Sequence, residues 1–512
     1  MNRSIGRSFW KKFAVVVVLL AMSLSLAQLS DFGPMRHGDG FVDTNVYKYV
    51  GQTIRDGGMP YRDTFDHKGP LLYVLHALVG YIDEYRGAWI LEFVAITVSV
   101  FAFYKISRLL KCRSASAILA VATIFSVFIQ FFDIKGGCTC LFSVPFASVS
   151  LYFLLKYILA GHISSISVWL CGLCCAAVLM MRPNFIAVWA VFGVIIAFNC
   201  IKTKKYRELL RIMLLFFVGI ITVIAPLMIW ICTNGAFSEF WSQYIEFNFF
   251  YSASKGDIFG KAAGFLTLVT PTVCTLAIII MIYRLIVSRD KLDIYFSILL
   301  LANIAVGCIS GREYGHYVIG LMPSLVYPYA VLFRRLPQAR KRGYSSSEKY
   351  FIAAITFLFF LIPFPYWRDT ILEDYSVLVE RHKDTYKNSI QLNAVVTTIR
   401  ELTEPDEKIQ VFRFNPAVYH LSGRRSLTRF PFLTPEIESY KNNHDEYFGQ
   451  LEAEKPKIIV VEFSEFEEFG DMKEFLTRND YRIVYPSNVK IEEIDPKDKS
   501  AMYVFYRPQQ KY

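Results

Sequence analysis

Runs of apolar residues, each about 20 residues long, recur along this chain and constrain its fold more than any other feature. A helix of that length spans the hydrocarbon core of a lipid bilayer. Hydrophobic residues make up 54% of the sequence and aromatic residues 16%, which is typical of multi-span membrane proteins and excludes an ordinary soluble core. The sequence therefore predicts a polytopic α-helical membrane protein.

Hydropathy predicts about eleven membrane spans. The first runs from about Phe13 to Leu29 behind a basic N-terminus. Because it is long enough to cross the bilayer and lacks a cleavage site, we interpret it as a signal anchor. The other spans are expected at about 88–110, 115–132, 139–158, 164–182, 184–201, 209–232, 262–287, 292–310, 316–333 and 350–367.

The net charge of +11 arises from Lys and Arg residues that cluster in short loops between the apolar runs. This distribution indicates cytoplasmic loops of a membrane protein and not a nucleic-acid-binding surface. Alternating the spans from a cytoplasmic N-terminus places these basic loops inside. The segments placed outside are 30–87, 133–138, 233–261, 311–315 and 368–512.

After Trp367 the composition becomes more charged, and strand patterns alternate with helix patterns. This alternation predicts a small α/β domain outside the membrane. No glycine-rich phosphate-binding pattern occurs in it, so a nucleotide site is not expected. The predicted division is a transmembrane domain at 1–367 and an extracytoplasmic domain at 368–512. Strands are expected at 408–414, 457–463, 481–486 and 501–507, and helices around 434–455 and 465–479.

The first outer loop, residues 30–87, is polar although it lies between two membrane spans. Apolar residues at helical spacing predict two short helices in it, at about 43–57 and 70–82, lying on the membrane surface. Gly57-Gly58 followed by Pro60 ends the first of them. A loop of this composition in this position indicates a reaction site.

The most specific motifs of the chain lie in this loop, at the outer ends of later spans and in the tail. They are Asp43–Tyr47 (DTNVY), Gly57–Asp63 (GGMPYRD), Asp66–Tyr73 (DHKGPLLY), Arg182–Asn184 (RPN), Ser310–Tyr317 (SGREYGHY) and Val418–Arg425 (VYHLSGRR). Together they closely resemble bacterial membrane glycosyltransferases of the GT-C fold. That superfamily includes the protein O-mannosyltransferases and the lipid A aminoarabinose transferases.

The resemblance implies transfer of a sugar from a polyprenyl-phosphate carrier to an acceptor hydroxyl at the outer leaflet, with inversion. The implied partners are the lipid-linked sugar, membrane lipids, and an envelope glycan, glycolipid or protein as acceptor. The chain would be a multi-pass protein of the bacterial cytoplasmic membrane, with its N-terminus in the cytoplasm and its C-terminal domain outside. The alternative is a non-catalytic homologue or a transporter of lipid-linked sugars.

Inverting glycosyl transfer needs a carboxylate that takes the acceptor's proton and cations that stabilise the leaving phosphate. Asp43 matches the position of the family's catalytic base; its alternative role is a cap of the helix that follows it. Lys68 precedes Gly69-Pro70 at a helix start, where backbone amides and an ammonium group can meet a phosphate. The alternative for Lys68 is a side chain that extends to the lipid headgroups.

Further candidates lie at the outer ends of two later spans and in the first loop. Arg312, Tyr314 and His316 can bind the donor phosphate, or they can pair with Glu313 or lipid headgroups. For Arg182 we favour an anchoring role at the interface over a substrate contact. The residues expected to orient these cations, or to balance the charge of the loop, are Arg62, Asp63, Asp66 and His67.

The second outer loop departs from the family pattern. Many relatives carry Thr-Glu-Glu shortly before a proline, whereas Thr139–Pro145 (TCLFSVP) has no carboxylate. Asp133 would be the replacement acid, unless activity has been lost. A divalent metal prefers several oxygen ligands and this loop offers few, so we expect no metal and no other cofactor. Without a second Cys or His pair at zinc spacing, Cys138 and Cys140 are expected to be apolar wall residues.

Overall fold

The chain is mostly helical, with a small sheet near its C-terminus, which agrees with the predicted fold class. The computed structural model describes residues 2–28, 30, 32–34, 42–84, 86–130, 137–253, 258–270, 272–309, 314–339, 390–413, 415–462, 469–487, 489–495 and 501–508.

The helices before the sheet domain are α1 (Asn2–Ala27), α2 (Val42–Arg55), α3 (Pro70–Gly80), α4 (Gly87–Leu109), α5 (Ser114–Gln130), α6 (Thr139–Ala160), α7 (Ser165–Leu179), α8 (Ala187–Lys202), α9 (Tyr206–Thr233), α10 (Phe237–Phe240), α11 (Phe247–Ala253), α12 (Ile258–Val269), α13 (Val273–Val287), α14 (Lys291–Ile309) and α15 (Met322–Ala339). A π-helical turn at Trp241–Glu246 joins α10 to α11. Short 3₁₀ segments lie at Pro183–Phe185 and Gly315–Leu321.

Six helical segments of the described chain are long and apolar enough to cross a bilayer, and a seventh span results if a bent pair counts as one. The chain is therefore a multi-pass membrane protein. The six segments are Phe9–Ala27, Gly87–Leu109, Thr139–Ala160, Tyr206–Thr233, Lys291–Ile309 and Gly315–Arg334.

The remaining predicted spans differ from the structure. Helices α5, α7 and α8 occupy the spans expected at 115–132, 164–182 and 184–201, but they are shorter than the other spanning helices. The span expected at 262–287 consists of two helices, Gly260–Val269 and Val273–Val287, bent by 98°. Hydropathy averages over a window and does not detect a bend between two apolar helices. The span expected at 350–367 lies outside the described residues.

Both short helices predicted for the first loop are present, as α2 and α3. Helix α2 is followed by Gly57 in the left-handed region (φ 87°), where glycine carries no steric penalty. The two helices approach closely at Gly51, whose Cα faces the backbone of Ala77. Tyr47 and Tyr49 of α2 are 1% and 4% exposed. Helix α2 is therefore enclosed by protein, which corrects the prediction that it lies on the membrane surface.

The C-terminal part contains a five-stranded mixed sheet in the order β2-β1-β3-β5-β4. Strand β1 pairs in parallel with β2 and β3, and β5 pairs antiparallel with β3 and β4. The strands are β1 (Lys408–Phe412), β2 (Arg425–Ser426), β3 (Ile458–Glu462), β4 (Arg482–Tyr485) and β5 (Met502–Tyr506). All except β2 lie where the sequence predicts strands. A strand of two residues is too short to show a periodicity.

Five helices accompany this sheet within the described residues. They are α16 (390–402), α17 (Ala417–Ser422), α18 (Pro435–Glu438), α19 (Asn443–Glu454) and α20 (Gly470–Arg478). Helices α18 and α19 fill the stretch predicted at 434–455, and α20 lies within the one predicted at 465–479.

The sheet domain packs on the first outer loop. The Tyr49 ring of α2 lies 5.0 Å from the ring of Tyr419, and its hydroxyl accepts a hydrogen bond from the Ser426 backbone N–H at 2.9 Å. Further along the loop, the Phe65 backbone N–H donates to the Arg429 carbonyl at 2.6 Å. The sheet domain therefore contacts both α2 and the segment that leads to Lys68.

Candidate functional site

Asp43 lies in the first turn of α2, with its side chain partly buried. The Tyr47 hydroxyl, one turn later, donates a hydrogen bond to Asp43 Oδ2 at 3.2 Å. Because α2 begins at Val42, Asp43 is inside the helix and not the residue that caps it, which corrects the alternative reading. A carboxylate at this place is stabilised by the positive end of the helix dipole.

The backbone of Lys68 is held by two buried tyrosines. The Lys68 N–H donates to the Tyr73 hydroxyl at 3.0 Å, and the Lys68 carbonyl accepts from the Tyr61 hydroxyl at 2.7 Å. The Tyr73 hydroxyl in turn donates to Asp66 Oδ2 at 2.7 Å. The two rings pack edge to face, 5.8 Å apart. These contacts fix the position from which the Lys68 side chain leaves the loop.

Two amide side chains from residues 237–251, a segment rich in Phe, Trp and Tyr, support the same loop. The sequence analysis identified neither of them. Gln243 in the π-helical turn donates to the Tyr61 carbonyl at 2.6 Å and accepts from the Asp66 N–H at 3.2 Å. Asn248 in α11 donates to the His67 carbonyl at 2.8 Å. These amides are surrounded in sequence by Phe, Trp and Tyr, which is typical of an aromatic belt at the membrane interface, so their sequence context does not indicate a site.

His67 links Lys68 to Asp66. Its Nε2 lies 2.6 Å from Lys68 Nζ, and its Nδ1 lies 3.5 Å from Asp66 Oδ1. An ammonium group can only donate, so a neutral His67 accepts at Nε2 and carries its proton at Nδ1, facing the carboxylate. His67 and Asp66 thus contact each other and Lys68, and the orienting role expected for them stays a prediction.

The start of α3 is bound to the turn after α7. The Gly69 N–H donates to the Met181 carbonyl at 3.2 Å, and the Leu71 N–H donates to the Met180 carbonyl at 3.0 Å. A Cβ on Gly69 would overlap the Met180 carbonyl. The glycine is therefore needed for close approach, and this approach brings Arg182 beside the first loop.

Arg182 points into the protein. Its Nη1 donates to Thr139 Oγ1 at 2.9 Å at the start of α6, and its guanidinium lies 4.2 Å from the centre of the Tyr317 ring. Arg182 therefore contacts the start of α6 and the 3₁₀ segment, and the anchoring role expected for it at the membrane interface stays a prediction. A hydropathy profile places an arginine at a hairpin but does not show which way it points.

His316 lies in the 3₁₀ segment and is 7% exposed. Both Arg182 and Lys68 lie within electrostatic range of its ring. Tyr314 is 44% exposed and stacks on His316, with ring centres 5.6 Å apart. Arg312, the remaining candidate of this motif, lies outside the described residues.

Asp66 is a buried carboxylate near both Asp43 and Lys68. It is 3% exposed and lies within electrostatic range of both Asp43 and Lys68. Burial raises the pKa of Asp66 above its usual value, although Lys68 and the hydrogen bond from Tyr73 oppose the shift. The structure thus brings Asp43 and Lys68 close to one buried carboxylate, and it brings Lys68 and Arg182 close to His316.

Arg62 and Asp63 form a separate pair at the surface. Arg62 Nε lies 2.8 Å from Asp63 Oδ1, and Arg62 Nη1 donates to the Asn234 carbonyl at 2.8 Å. The Met59 N–H donates to Asp63 Oδ2 at 2.7 Å. These contacts close the turn before Lys68 and join it to the end of α9, so both residues support the loop from outside.

The second outer loop supplies hydroxyl and thiol groups where relatives carry acids. Thr139 accepts the hydrogen bond from Arg182, and Cys138 and Cys140 are buried on either side of it. Arg182 lies within electrostatic range of both thiols. Asp133, the suggested replacement acid, lies outside the described residues.

One known protein family matches most of this chain. The family described as "Putative competence-induced protein Ccs4 N-terminal domain" matches residues 11–356, which is more than half of the chain. The chain belongs to this family. The matched range includes both outer loops and the 3₁₀ segment with His316, so the site described above lies within the family's domain. No curated protein matches the chain by sequence.

Two solved structures of ArnT share the fold of this chain. ArnT from Cupriavidus metallidurans bound to undecaprenyl phosphate has a TM-score of 0.63 at 13% identity, covering 97% of this chain and 98% of that one. The apo state of the same protein has a TM-score of 0.62 at 13% identity, with coverage of 98% and 100%. The expected GT-C fold is thereby confirmed.

The archaeal oligosaccharyltransferase AglB from Archaeoglobus fulgidus, in complex with an inhibitory peptide and a dolichol-phosphate, is also similar. Its TM-score is 0.48 at 14% identity, with 89% of this chain and 70% of that chain covered.

Proposed function

We propose that this protein is a membrane glycosyltransferase that moves a sugar from a polyprenyl-phosphate donor to an acceptor hydroxyl of the cell envelope, with inversion. The observation that carries the proposal is that Asp43 and Lys68 both lie within electrostatic range of the buried Asp66. Arg182 lies within the same range of Tyr47 and His316, and Lys68 lies within that range of His316. The undecaprenyl phosphate bound by ArnT, whose fold this chain shares, supports a lipid phosphate as the leaving group.

In the proposed reaction Asp43 is the general base. Its Oδ2 accepts the hydrogen bond from Tyr47, and Oδ1 takes the proton from the acceptor hydroxyl as that oxygen attacks the anomeric carbon. The bond from the anomeric carbon to the phosphate oxygen breaks as the new glycosidic bond forms. Attack from the face opposite the phosphate inverts the configuration.

The cations of the site stabilise the leaving phosphate. Lys68 and Arg182 supply fixed positive charge, and His316 supplies a further donor. Tyr314 and Arg312, from the same motif, complete the proposed phosphate-binding set. With these groups in place, the proposed reaction uses no metal and no other cofactor.

The acceptor is proposed to approach from water beneath the sheet domain. A polar cleft of about 580 Å³ opens there, between the site loop and α19. Phe65 and Gln243 line it on the loop side, and Arg429 and Tyr440 line it on the domain side. We propose that an envelope glycan, glycolipid or protein acceptor enters through this cleft. The proposed orientation in a bacterial cytoplasmic membrane places the N-terminus inside and the domain at 368–512 outside, with 1–367 as the transmembrane unit.

The competing function is that of a non-catalytic homologue or a transporter of lipid-linked sugars, which the missing acids of the second loop favour. The Asp43→Asn variant separates the two. For a transferase, mass spectrometry of envelope glycans from a deletion strain should show loss of one sugar, which wild type restores and Asp43→Asn does not. Asp290→Asn, at an exposed position, is the matched control and should restore it. Restoration by Asp43→Asn would favour the transporter.

A further inference from the structure

A cluster of possible metal ligands lies in the sheet domain, in a part of the molecule to which the proposed transfer reaction assigns no role. It consists of Glu438 at the end of α18, His444 in α19 and Asp471 in α20, with one ligand atom of each within 4.8 Å of the others. We propose that this triad binds a zinc ion that joins the three helices. The proposal is independent of the transferase activity.

Two distances within the triad are close to those of a zinc site, whereas the third, between Glu438 and Asp471, is within 4.8 Å and would shorten when zinc binds. His444 Nε2 lies 3.0 Å from Asp471 Oδ2 and 3.9 Å from Glu438 Oε1. In a tetrahedral site with bonds of about 2.1 Å, ligand atoms are about 3.4 Å apart. One imidazole and two carboxylates leave a fourth position for water, which is a common arrangement for zinc.

The surroundings of the triad orient its ligands. His444 Nδ1 lies 3.2 Å from Asp445 Oδ1, so that a proton on Nδ1 is donated to a carboxylate and the lone pair of Nε2 faces the other two ligands. Metal-bound histidines usually make such a bond from their second nitrogen. Arg413 Nη1 donates to Glu438 Oε2 at 2.8 Å, which leaves Oε1 directed towards His444.

Charge and access also suit a divalent cation. Three carboxylates, those of Glu438, Asp445 and Asp471, surround the His444 ring, and Arg413 is the cation paired with them through Glu438. A divalent ion would neutralise the excess negative charge. A surface cavity of about 740 Å³ borders the triad and gives a hydrated ion a route to it.

The competing arrangement is a protonated His444 that pairs with the carboxylates without a metal. Burial opposes protonation, but hydrogen bonds to Asp445 and Asp471 outweigh it and raise the pKa of His444. The two arrangements differ in what stabilises the domain. A zinc site is stabilised by added zinc at constant pH, whereas an imidazolium is stabilised by lower pH alone.

The test uses the full-length protein, purified in detergent without a histidine tag, stripped with EDTA, reloaded with zinc chloride and desalted. Inductively coupled plasma mass spectrometry should find about one zinc per chain in wild type and little in His444→Ala or Asp471→Asn. His162→Ala, which removes an exposed histidine elsewhere, should retain the metal. Asp445→Asn should weaken zinc binding by about 10-fold or more, because it removes the partner of Nδ1.

Thermal unfolding of the same samples keeps the test informative if one variant folds poorly. Added zinc should raise the melting temperature of wild type and His162→Ala but not that of the conservative Asp471→Asn. The proposal is overturned if wild type retains no more zinc than Asp471→Asn. It is also overturned if the domain is stabilised by acid but not by zinc, which would show that His444 acts as an imidazolium.

Discussion

At the scale of single residues, the site depends on groups that hold Lys68 as much as on Lys68 itself. The motif around Asp43 and Lys68 could be recognised from sequence because its residues are close together in the chain. The roles of Tyr61 and Tyr73 could not, since an aromatic residue in an apolar stretch is more often a packing residue than a hydrogen-bond partner. The contact between Arg182 and Thr139 could not be predicted either, because the two residues are distant in sequence.

Gly69 allows the first loop to contact the turn that carries Arg182. Replacing it with alanine should lower the melting temperature and cost about 1–3 kcal/mol, because the new Cβ meets the Met180 carbonyl. Binding of undecaprenyl phosphate should weaken in parallel. Gly193→Ala in α8, where nothing lies within 4 Å of the added Cβ, is the control and should be neutral or slightly stabilising. Equal melting temperatures and equal undecaprenyl phosphate binding of the two variants would contradict the argument that Gly69 is needed for close approach.

Asp66 should give the fold a measurable pH dependence. Its pKa is raised in the folded state, so the folded protein holds this proton more tightly than the unfolded chain does. The contribution of Asp66 to stability is therefore fully present below the usual pKa of 3.8 and is lost as the pH rises through the folded-state value.

Asp66→Asn, which cannot ionise, should gain stability relative to wild type as the pH rises from below 3.8. Melting temperatures of both proteins between acidic and neutral pH provide the measurement. If the melting temperature of wild type instead rises relative to that of Asp66→Asn over that pH range, the carboxylate is stabilised in its ionised form and the burial argument is wrong.

At the scale of elements, the site is built from four separate segments: the start of α2, the loop before α3, the turn after α7, and the 3₁₀ segment that carries His316. Helix type and approximate bounds follow from apolar periodicity, as α2 and α3 show. The contact of α2 with the sheet domain does not, because it depends on contacts such as that between Tyr49 and Tyr419, far apart in sequence. The bend between α12 and α13 is likewise a tertiary property.

The π-helical turn at Trp241–Glu246 supports the site through one side chain. Gln243→Ala should remove both hydrogen bonds to the loop and destabilise the protein by about 1–3 kcal/mol, because Asp66 and Tyr61 lose buried partners. Thermal unfolding and undecaprenyl phosphate binding should both show the loss. Gln52→Ala in α2 is the control, since Gln52 Oε1 accepts no hydrogen bond within the described chain. If Gln243→Ala is as stable as Gln52→Ala, the π-helical turn does not support the site through Gln243.

At the scale of the whole molecule, the arrangement suits the proposed reaction, in which the donor stays in the membrane and the acceptor arrives from water. The spanning helices surround one side of the site, and the sheet domain covers the first loop. The sequence alone predicted both layers, because composition changes sharply after Trp367. It predicted more spans than the described residues show, because length and hydropathy do not distinguish a short buried helix from a crossing one.

The central claim is that Asp43 and Lys68 act in one pocket, with Lys68 on the donor phosphate and Asp43 on the acceptor. Native mass spectrometry with undecaprenyl phosphate tests it directly, by comparing wild type, Lys68→Met and Asp43→Asn. Loss of one charged contact should weaken phosphate binding by about 10- to 100-fold in Lys68→Met, about 1.4–2.7 kcal/mol, while Asp43→Asn binds as wild type does. Phosphate binding that is unchanged in Lys68→Met would contradict the account.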